Sequence, residues 1–153
     1  MEIERKFLIG ELPFNVEDYP SRLIEQAYLC TGPVVRIRKE DDTYYMTYKN
    51  GGGMAHEEAN LPLTEEAYRH LLEKHDGKVI TKRRFLIPYG KFTIELDVFS
   101  GAYEGLRFAE VEFESVEEAL SFTPPSWFTE DVTADPRFHN SHLALGDVNP
   151  FTK

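Results

Sequence analysis

Charged residues recur at every second position in most of the extended segments of this chain, and this pattern restricts the folds open to it. Successive side chains of a β-strand point to opposite faces of a sheet, so residues two apart share a face. The charges are also sorted by sign, because each segment carries mostly acids or mostly bases. The charged residues that share a face within a segment are Glu2, Glu4 and Lys6, then Arg36 and Arg38, Lys49, Lys82 and Arg84, Glu95 and Asp97, and Glu110 and Glu112.

Two arrangements account for such a charged face. A sheet with one wet side turns its apolar residues to the core and its charges to solvent. Exposed sheets, however, usually mix the two signs, because like charges side by side repel. Since the polar face continues from strand to strand and is sorted into acids and bases, we favour the second arrangement, in which the face lines a cavity that holds both cations and anions.

The segments between turn signals predict about eight strands. Runs rich in Val, Ile, Thr and Tyr are typical of strands, and most connections are too short for parallel crossovers. Eight antiparallel strands can close into a barrel and so remove their edges. The predicted strands are residues 2–9, 21–30, 33–39, 43–50, 56–63, 78–87, 91–99 and 106–114. We therefore predict an α+β fold in which residues 1–153 form one domain, an eight-stranded antiparallel β-barrel with a few flanking helices.

Three short helices are predicted where strands join. Ser, Thr and Asp accept hydrogen bonds from the first backbone amides of a helix, which makes Thr64, Ser115 and Asp135 the predicted caps. The last helix, from Asp135 to residue 146, carries His139 and His142 three residues apart. We expect both histidines on the surface of that helix, because no third metal ligand stands near them in the sequence.

Composition excludes several classes of protein. The formal net charge of -10 argues against a broad nucleic-acid surface, which needs a basic footprint. Cys30 is the single cysteine, so the chain has neither a disulfide framework nor a thiolate metal site. No apolar run is long enough to span a bilayer, and the first residues lack the apolar stretch of a signal peptide. We expect no nucleic-acid or membrane partner and predict a cytoplasmic protein.

A cavity with sorted charges suits a polyphosphate and its cation. The planar fork of Arg matches phosphate oxygens, and Lys supplies a compact positive charge. Mg²⁺ or Mn²⁺ takes one or two carboxylates together with phosphate oxygens and waters. Such ions would neutralise the excess carboxylates, which reconciles an acidic chain with an anionic substrate.

The order of these residues resembles a known family. Residues 2–6 match the ExExK signature of the CYTH superfamily, also called triphosphate tunnel metalloenzymes, and the remaining charged pairs follow in the family's order. The resemblance extends over nearly the whole chain. Residues 95–99, 110–113 and 125–128 are similar to short bacterial members, which include inorganic tripolyphosphatases.

The resemblance implies an eight-stranded tunnel in which bases hold the triphosphate and acids bind Mg²⁺ or Mn²⁺. The implied phosphate ligands are Lys6, Arg36, Arg38, Lys49, Lys82 and Arg84. The implied metal ligands are Glu2, Glu4, Glu110 and Glu112. The acids given a part in catalysis, by holding a second metal or by orienting the attacking water, are Glu4, Glu95, Asp97 and Glu110.

The fifth strand departs from the family's pattern. Related enzymes usually offer Arg-x-Glu-x-Glu there, whereas this chain has His56, Glu58 and Asn60. The change removes a fixed positive charge and a carboxylate, which leaves the substrate preference open. We interpret His56 either as a weaker phosphate contact or as a surface residue. Glu58 is a further candidate site residue, and Tyr28 either contacts substrate or packs in the core.

The sequence predicts metal-dependent hydrolysis of a triphosphate, with inorganic tripolyphosphate cleaved to pyrophosphate and phosphate as the leading reaction. The chain is short and leaves little room for a nucleobase pocket, which favours the inorganic substrate. An adenylyl cyclase of class IV type, or a nucleoside or thiamine triphosphatase of the same superfamily, is the first alternative. A polyphosphate-binding module without turnover is the second, and a structural domain with a solvated sheet is the third. We expect a small-molecule triphosphate as partner and leave a homodimer open.

Overall fold

The protein is built from strands with short helices between them, in a computed structural model that describes residues 1–52, 54–146 and 150–151. The strands are β1 (Glu2–Ile9), β2 (Ser21–Thr31), β3 (Val34–Glu40), β4 (Thr43–Gly52), β5 (Ala55–Pro62), β6 (Asp76–Tyr89), β7 (Phe92–Ser100), β8 (Arg107–Phe113) and β9 (Phe128–Asp131). The helices are α1 (Glu65–Leu72), α2 (Val116–Ser121) and α3 (Asn140–Leu145), with 3₁₀ turns at Val16–Asp18, Gly101–Tyr103 and Pro136–Phe138. None of the helices in the described ranges has the length and apolar character needed to cross a bilayer.

Strands β1 to β8 close into an antiparallel barrel. Their hydrogen-bonded order is β5-β4-β3-β2-β6-β7-β8-β1. The ring closes because β1 also pairs with β5, with Glu2 opposite His56 and Ile3 opposite Ala55. Every pairing around the ring is antiparallel. The predicted α+β fold and its eight-stranded barrel are confirmed.

A ninth strand, which the sequence patterns do not predict, lies beside the last part of β1. In this pairing Phe7 stands opposite Asp131. Strand β1 therefore uses β5 at its beginning and β9 at its end. Arg5 lies on the outer side of this junction, where its guanidinium donates to Asp131 Oδ2 at 2.9 Å and to the Ala119 carbonyl oxygen at 2.8 Å. Arg5 therefore faces away from the cavity, as the alternation of side chains along β1 requires.

The main hydrophobic core lies outside the barrel wall. Outward residues of β1, β6, β7 and β8 pack under α2 and the segment after it, and this cluster contains Ile3, Phe7, Phe85, Ile87, Ile94, Leu96, Ala109, Val111, Phe113, Ala119 and Phe122. On another part of the wall, Tyr68 of α1 packs on Ala27 and Ile37. Because apolar side chains fill the outer layer, the alternate side chains of the same strands are left to line the interior.

Helix α3 closes an apolar cluster at one end of the barrel. Leu143 and Ala144 are fully buried there, in a cluster with Ile80, Phe99 and Phe108 of the barrel strands. These strand residues continue the inward-facing positions of β6, β7 and β8, so the charged interior has an apolar layer at the α3 end.

The predicted helix caps are in place, but the last helix differs from its prediction. Thr64, Ser115 and Asp135 each accept a hydrogen bond from a backbone amide of the following turn. Asp135 caps a single 3₁₀ turn rather than a helix that continues to residue 146, because the backbone becomes extended at His139 with φ -78° and ψ 128°. Helix α3 begins only after that residue, and Gly146 ends it with φ 73°.

We predict that Gly77→Ala destabilises the protein more than Gly90→Ala. Both glycines have positive φ, 65° and 60°, where an L side chain costs about 1–2 kcal/mol. A Cβ at Gly90 would meet nothing within 4 Å, whereas one at Gly77 would collide with the Ala144 carbonyl of α3. Urea denaturation should show the larger loss of unfolding free energy for Gly77→Ala. Equal losses would mean that α3 shifts without cost and does not hold this end of the barrel.

Candidate active site

The inward side chains of the barrel line a polar cavity of about 480 Å³. Most of the residues singled out from the sequence lie on its wall. These are Glu2, Glu4, Lys6, Tyr28, Arg36, Arg38, Lys49, His56, Glu58, Arg84, Glu95, Glu110 and Glu112. The alternation of β-strands therefore brings together residues that lie more than a hundred positions apart in the chain.

Two buried arginines on β3 face the cavity. Arg38 donates to Gln26 Oε1 at 2.9 and 2.6 Å and to the Tyr45 hydroxyl at 3.1 Å. Arg36 donates to Thr47 Oγ1 at 3.1 Å, and its Nε has no hydrogen-bond partner in the described part of the chain. Burial and the neighbouring charge of Arg38 lower the pKa of Arg36. The arrangement leaves a buried guanidinium without a carboxylate, which is the situation that a bound anion corrects.

Arg84 is held by acids on β7. Its Nε and Nη2 donate to the two oxygens of Asp97 at 2.8 and 2.9 Å, and its Nη1 donates to Glu95 Oε2 at 3.0 Å. Lys82 adds a contact to Asp97 Oδ2 at 2.7 Å. The side chains of Lys82 and Asp97 are fully buried and do not line the cavity. Both predicted site residues thus stand behind the cavity wall, where Asp97 positions Arg84 and Lys82 pairs with Asp97.

The charges of this network depend on one another. Burial lowers the pKa of Lys82 to about 7, against the pull of Asp97. Burial would raise the pKa of Asp97, but the charges of Arg84 and Lys82 outweigh it and hold that pKa below its usual value. Asp97 is therefore an ionised carboxylate whose two oxygens are already used, which leaves it poorly placed to bind a metal or a water.

The acids of β1 and β8 stand side by side. Glu4 lies opposite Glu112 in the strand register, and Glu95 of β7 lies opposite Glu110. Burial and the charge of Glu110 raise the pKa of Glu4 well above its usual value. Burial and Glu2 raise the pKa of Glu112. Within the described residues the Glu4 carboxylate forms no ion pair with a base. A cation at this position would offset both the cost of desolvating the carboxylate and its repulsion by Glu110.

Glu110 differs from the acids around it. Burial alone would raise the pKa of Glu110, but the charges of Lys6 and Arg84 hold it well below the usual value. Lys6 Nζ lies 3.5 Å from Glu110 Oε1. The Lys6 ammonium also lies over the ring of Phe108, 4.4 Å from its centroid. Glu110 is thus an ionised group that already has protein cations beside it.

Three side chains at the junction of β1 and β5 bring metal-binding atoms together. Glu2, His56 and Glu58 place one ligand atom each within 4.8 Å of one another. The predicted metal set of Glu2, Glu4, Glu110 and Glu112 shares only Glu2 with this group. His56 is 7% exposed and lines the cavity, so the interpretation of His56 as a surface residue is wrong.

Sequence reasoning missed the contribution of the chain after β9 to the site. Thr133, His139, Asn140, Ser141 and His142 all line the cavity. The expectation that both histidines lie on a helix surface is wrong, because α3 turns this side towards the barrel. Only the packing of α3 on the strands decides that orientation, so no local pattern in the sequence could have given it.

Two further lining residues follow the alternation that the sequence did show. Arg22 and Glu40 lie on the inward faces of β2 and β3. Arg22 Nη1 donates to Glu40 Oε2 at 2.8 Å, and the other oxygen of Glu40 accepts from the Tyr45 hydroxyl at 3.1 Å. Arg22 stands opposite Arg84 in the register. Extending the period of two along β2 and β3 would have found both residues.

A family model supports the resemblance seen in the sequence. The model of the CYTH domain matches residues 1–124. The chain belongs to the CYTH domain family. The match includes every charged residue of the barrel strands β1 to β8 described above and ends before β9, so the CYTH model does not cover the segment around α3 that lines the cavity.

Relatives of this CYTH chain match it over almost their full lengths. It is 36% identical over 149 residues to a protein of Nitrosomonas europaea named inorganic triphosphatase, covering 94% of this chain and 97% of that one. It is 35% identical over 161 residues to an inorganic triphosphatase of Acetivibrio thermocellus, covering 98% and 97%. A crystal structure described as an inorganic triphosphatase superposes with a TM-score of 0.70 at 34% identity, covering 95% of each chain.

We predict that Asp97→Asn lowers the free energy of unfolding at neutral pH by roughly 3–5 kcal/mol, the cost of removing one partner from a buried ion pair. The substitution leaves Lys82 and Arg84 buried without their shared carboxylate. The pKa of Asp97 in the folded protein lies below the ordinary 3.8. The ionised carboxylate therefore contributes fully to stability above pH 3.8, and this contribution is lost as the pH falls through the pKa of the folded state. The difference in unfolding free energy between the wild type and Asp97→Asn should therefore become smaller at acidic pH.

Urea denaturation at neutral and at strongly acidic pH measures both effects. Glu95→Gln is the matched control, since Glu95 gives Arg84 one contact and is partly exposed. Equal unfolding free energies for Asp97→Asn and wild type at neutral pH would contradict the positioning role of Asp97.

Proposed function

We propose that this protein hydrolyses inorganic tripolyphosphate to pyrophosphate and phosphate, with Mg²⁺ or Mn²⁺ as its cofactor. The observation that carries the proposal is the pair of unmet charges in one cavity. Arg36 is buried without an anion, and Glu4 is half-buried without a cation beside it in the described part of the chain. A triphosphate with its divalent cation supplies both partners at once. The names of the relatives from Nitrosomonas europaea and Acetivibrio thermocellus support the same activity.

The bases on the cavity wall are suited to a chain of phosphates. Arg36, Arg38 and Arg84 offer planar forks from β3 and β6, and Lys6 and Lys49 offer point charges from β1 and β4. Arginine and lysine in these roles stabilise the negative charge that spreads over the transferring phosphoryl oxygens. Asp97 fixes the direction of Arg84, so this fork needs little rearrangement when substrate binds.

The acids fit a hard divalent cation. Oxygen ligands from carboxylates, phosphate and water are what Mg²⁺ and Mn²⁺ prefer. Glu4 and Glu112 stand opposite each other with raised pKa values, and both face the cavity. A cation held there would draw charge from a phosphoryl oxygen as a Lewis acid. We assign the metal to these acids together with Glu2, and we assign Glu110 to the fixing of Lys6 and Arg84.

Glu95 is the proposed acceptor of the proton from the attacking water. Burial raises its pKa despite Arg84, and a base with a pKa closer to neutrality is the more effective proton acceptor. Water attacks the terminal phosphorus in line, the bond from phosphorus to the bridging oxygen breaks, and pyrophosphate leaves. Arg84, which donates to Glu95 at 3.0 Å, keeps the carboxylate in place. No covalent intermediate is required.

The lining of the cavity favours an inorganic substrate over a nucleotide. A base or a thiazolium ring needs apolar or aromatic surface, and the described wall offers little beyond Val34, Tyr28 and Tyr45. An adenylyl cyclase, a nucleoside or thiamine triphosphatase, and a binding module without turnover are outcomes of the tests below. A homodimer and a cytoplasmic location stay predictions.

We predict fast release of phosphate from tripolyphosphate that depends on Mg²⁺ or Mn²⁺ and stops with EDTA. The purified protein is incubated separately with tripolyphosphate, ATP and thiamine triphosphate, and phosphate, pyrophosphate and cyclic AMP are measured. Pyrophosphate with cyclic AMP from ATP would make the protein a cyclase. Binding of tripolyphosphate without hydrolysis in the presence of Mg²⁺ and of Mn²⁺ would make the protein a binding module and contradict the proposal.

We predict that Arg36→Gln lowers kcat/KM for tripolyphosphate by about 10²-fold or more, the usual cost of losing one donor to a developing oxyanion. Arg83→Gln is the control, because the Arg83 side chain points outward from β6, is exposed and donates to Ser21 Oγ. Steady-state kinetics should leave Arg83→Gln at the wild-type rate. Near-normal activity of Arg36→Gln would mean that Arg36 on β3 does not stabilise the phosphate groups of the substrate.

A further inference from the structure

A nitrogen ligand stands among the carboxylates at the seam of the barrel. Glu2 on β1 lies opposite His56 on β5, and Glu58 follows two residues later on the same face. One ligand atom from each lies within 4.8 Å of the other two. In the part of the chain that the structure describes, no other three His, Cys, Asp or Glu side chains converge this closely.

The spacing of two of these ligands already suits a metal ion. Ligands about 2.1 Å from an ion lie about 3.0–3.4 Å apart when they subtend 90–109° at it. Glu2 Oε1 and His56 Nε2 are 2.9 Å apart. The Glu58 side chain is half-buried, faces the same cavity and places its ligand atom within 4.8 Å of the other two.

The imidazole of His56 is a built part of the cavity wall. Its side chain is 5% exposed and its Nε2 is directed at the Glu2 carboxylate. Lys49 Nζ lies 3.5 Å from the same oxygen, Glu2 Oε1. An ion between Glu2 and His56 would replace their hydrogen bond, and Lys49 would then be available to a phosphate oxygen of the substrate.

We propose that Glu2, His56 and Glu58 bind a divalent transition-metal ion in preference to Mg²⁺. Imidazole nitrogen suits first-row transition metals, whereas Mg²⁺ prefers oxygen ligands in near-ideal octahedral geometry and keeps several waters. Glu2 also belongs to the proposed metal set with Glu4 and Glu112 at the β1–β8 pairing, whereas His56 and Glu58 lie on β5, on the other side of β1. The part that this ion plays in turnover rests on the proposed function, but its binding does not.

Mn²⁺ is the probe, because it is paramagnetic and reports the atoms bound to it. Metal-free protein without substrate is titrated with MnCl₂ in an excess of MgCl₂, and bound Mn²⁺ is measured from the loss of the free-ion EPR signal. Pulsed EPR then detects ¹⁴N coupling from a coordinated imidazole. We expect Mn²⁺ that Mg²⁺ does not displace, with nitrogen coupling. Full displacement by Mg²⁺, or bound Mn²⁺ without nitrogen coupling, would overturn the proposal.

His56→Gln removes the nitrogen ligand. We expect Mn²⁺ affinity at this site to fall at least about tenfold, since even changes further from a metal cost 10–100-fold, and the nitrogen coupling to disappear. His70→Gln removes an exposed imidazole from α1 and should change neither. Persistent nitrogen coupling in His56→Gln would assign the signal elsewhere and overturn the site. Glu58→Gln should weaken Mn²⁺ binding to a similar extent. If His56→Gln does not fold, unchanged Mn²⁺ affinity in Glu58→Gln would overturn the site.

Hydrolysis of tripolyphosphate is measured separately on the same preparations. Intact Mn²⁺ binding with nitrogen coupling, but no hydrolysis, would count against the proposed function and leave this site standing. Hydrolysis without nitrogen coupling would count against this site and leave the proposed function standing.

Discussion

Buried charge is the constraint on which the rest of this structure depends. Every strand of the barrel turns charged side chains inward, and an isolated buried ion costs several kcal/mol unless it finds partners. The protein meets this cost in two ways. Near the α3 end, Asp97 satisfies Arg84 and Lys82 within the fold. Further along the cavity, Arg36 and Glu4 have incomplete compensation from the described residues, and this is where ligands are needed.

The same constraint explains why the hydrophobic core lies outside the barrel. Each barrel strand has two faces, and charged residues occupy the inner one. The apolar residues on the outer face must therefore be covered from outside the barrel. Short helices are sufficient for this task. Helix α2 and Phe122 cover β1, β7 and β8, and α1 covers part of β2 and β3 through Tyr68. The fold is thus a shell of packing around a polar interior, with an apolar layer only where α3 meets the barrel.

The sequence predicted the barrel and most of its lining, because both follow from alternation along single strands. Glu2, Glu4 and Lys6 point inward for the same local reason as Glu110 and Glu112, and no tertiary information is needed to see it. The contribution of α3 could not be predicted in this way. His139 and His142 reach the cavity because α3 packs on distant strands. Alternation also does not show which of the inward-facing charged residues are exposed in the cavity. From the sequence, Lys82 and Asp97 were therefore indistinguishable from the residues that line it.

Cation and anion sites that share one cavity must influence each other. Burial and Arg38 make the charge of Arg36 unfavourable, and burial and Glu110 do the same for Glu4. A polyphosphate alone would relieve Arg36 but add to the repulsion around the acids, and a cation alone would do the reverse. Bound together, each ligand removes the repulsion that the other introduces, and because binding free energies are linked, the favourable effect is mutual. An acidic chain can therefore select a polyanion, provided that the polyanion arrives with its metal.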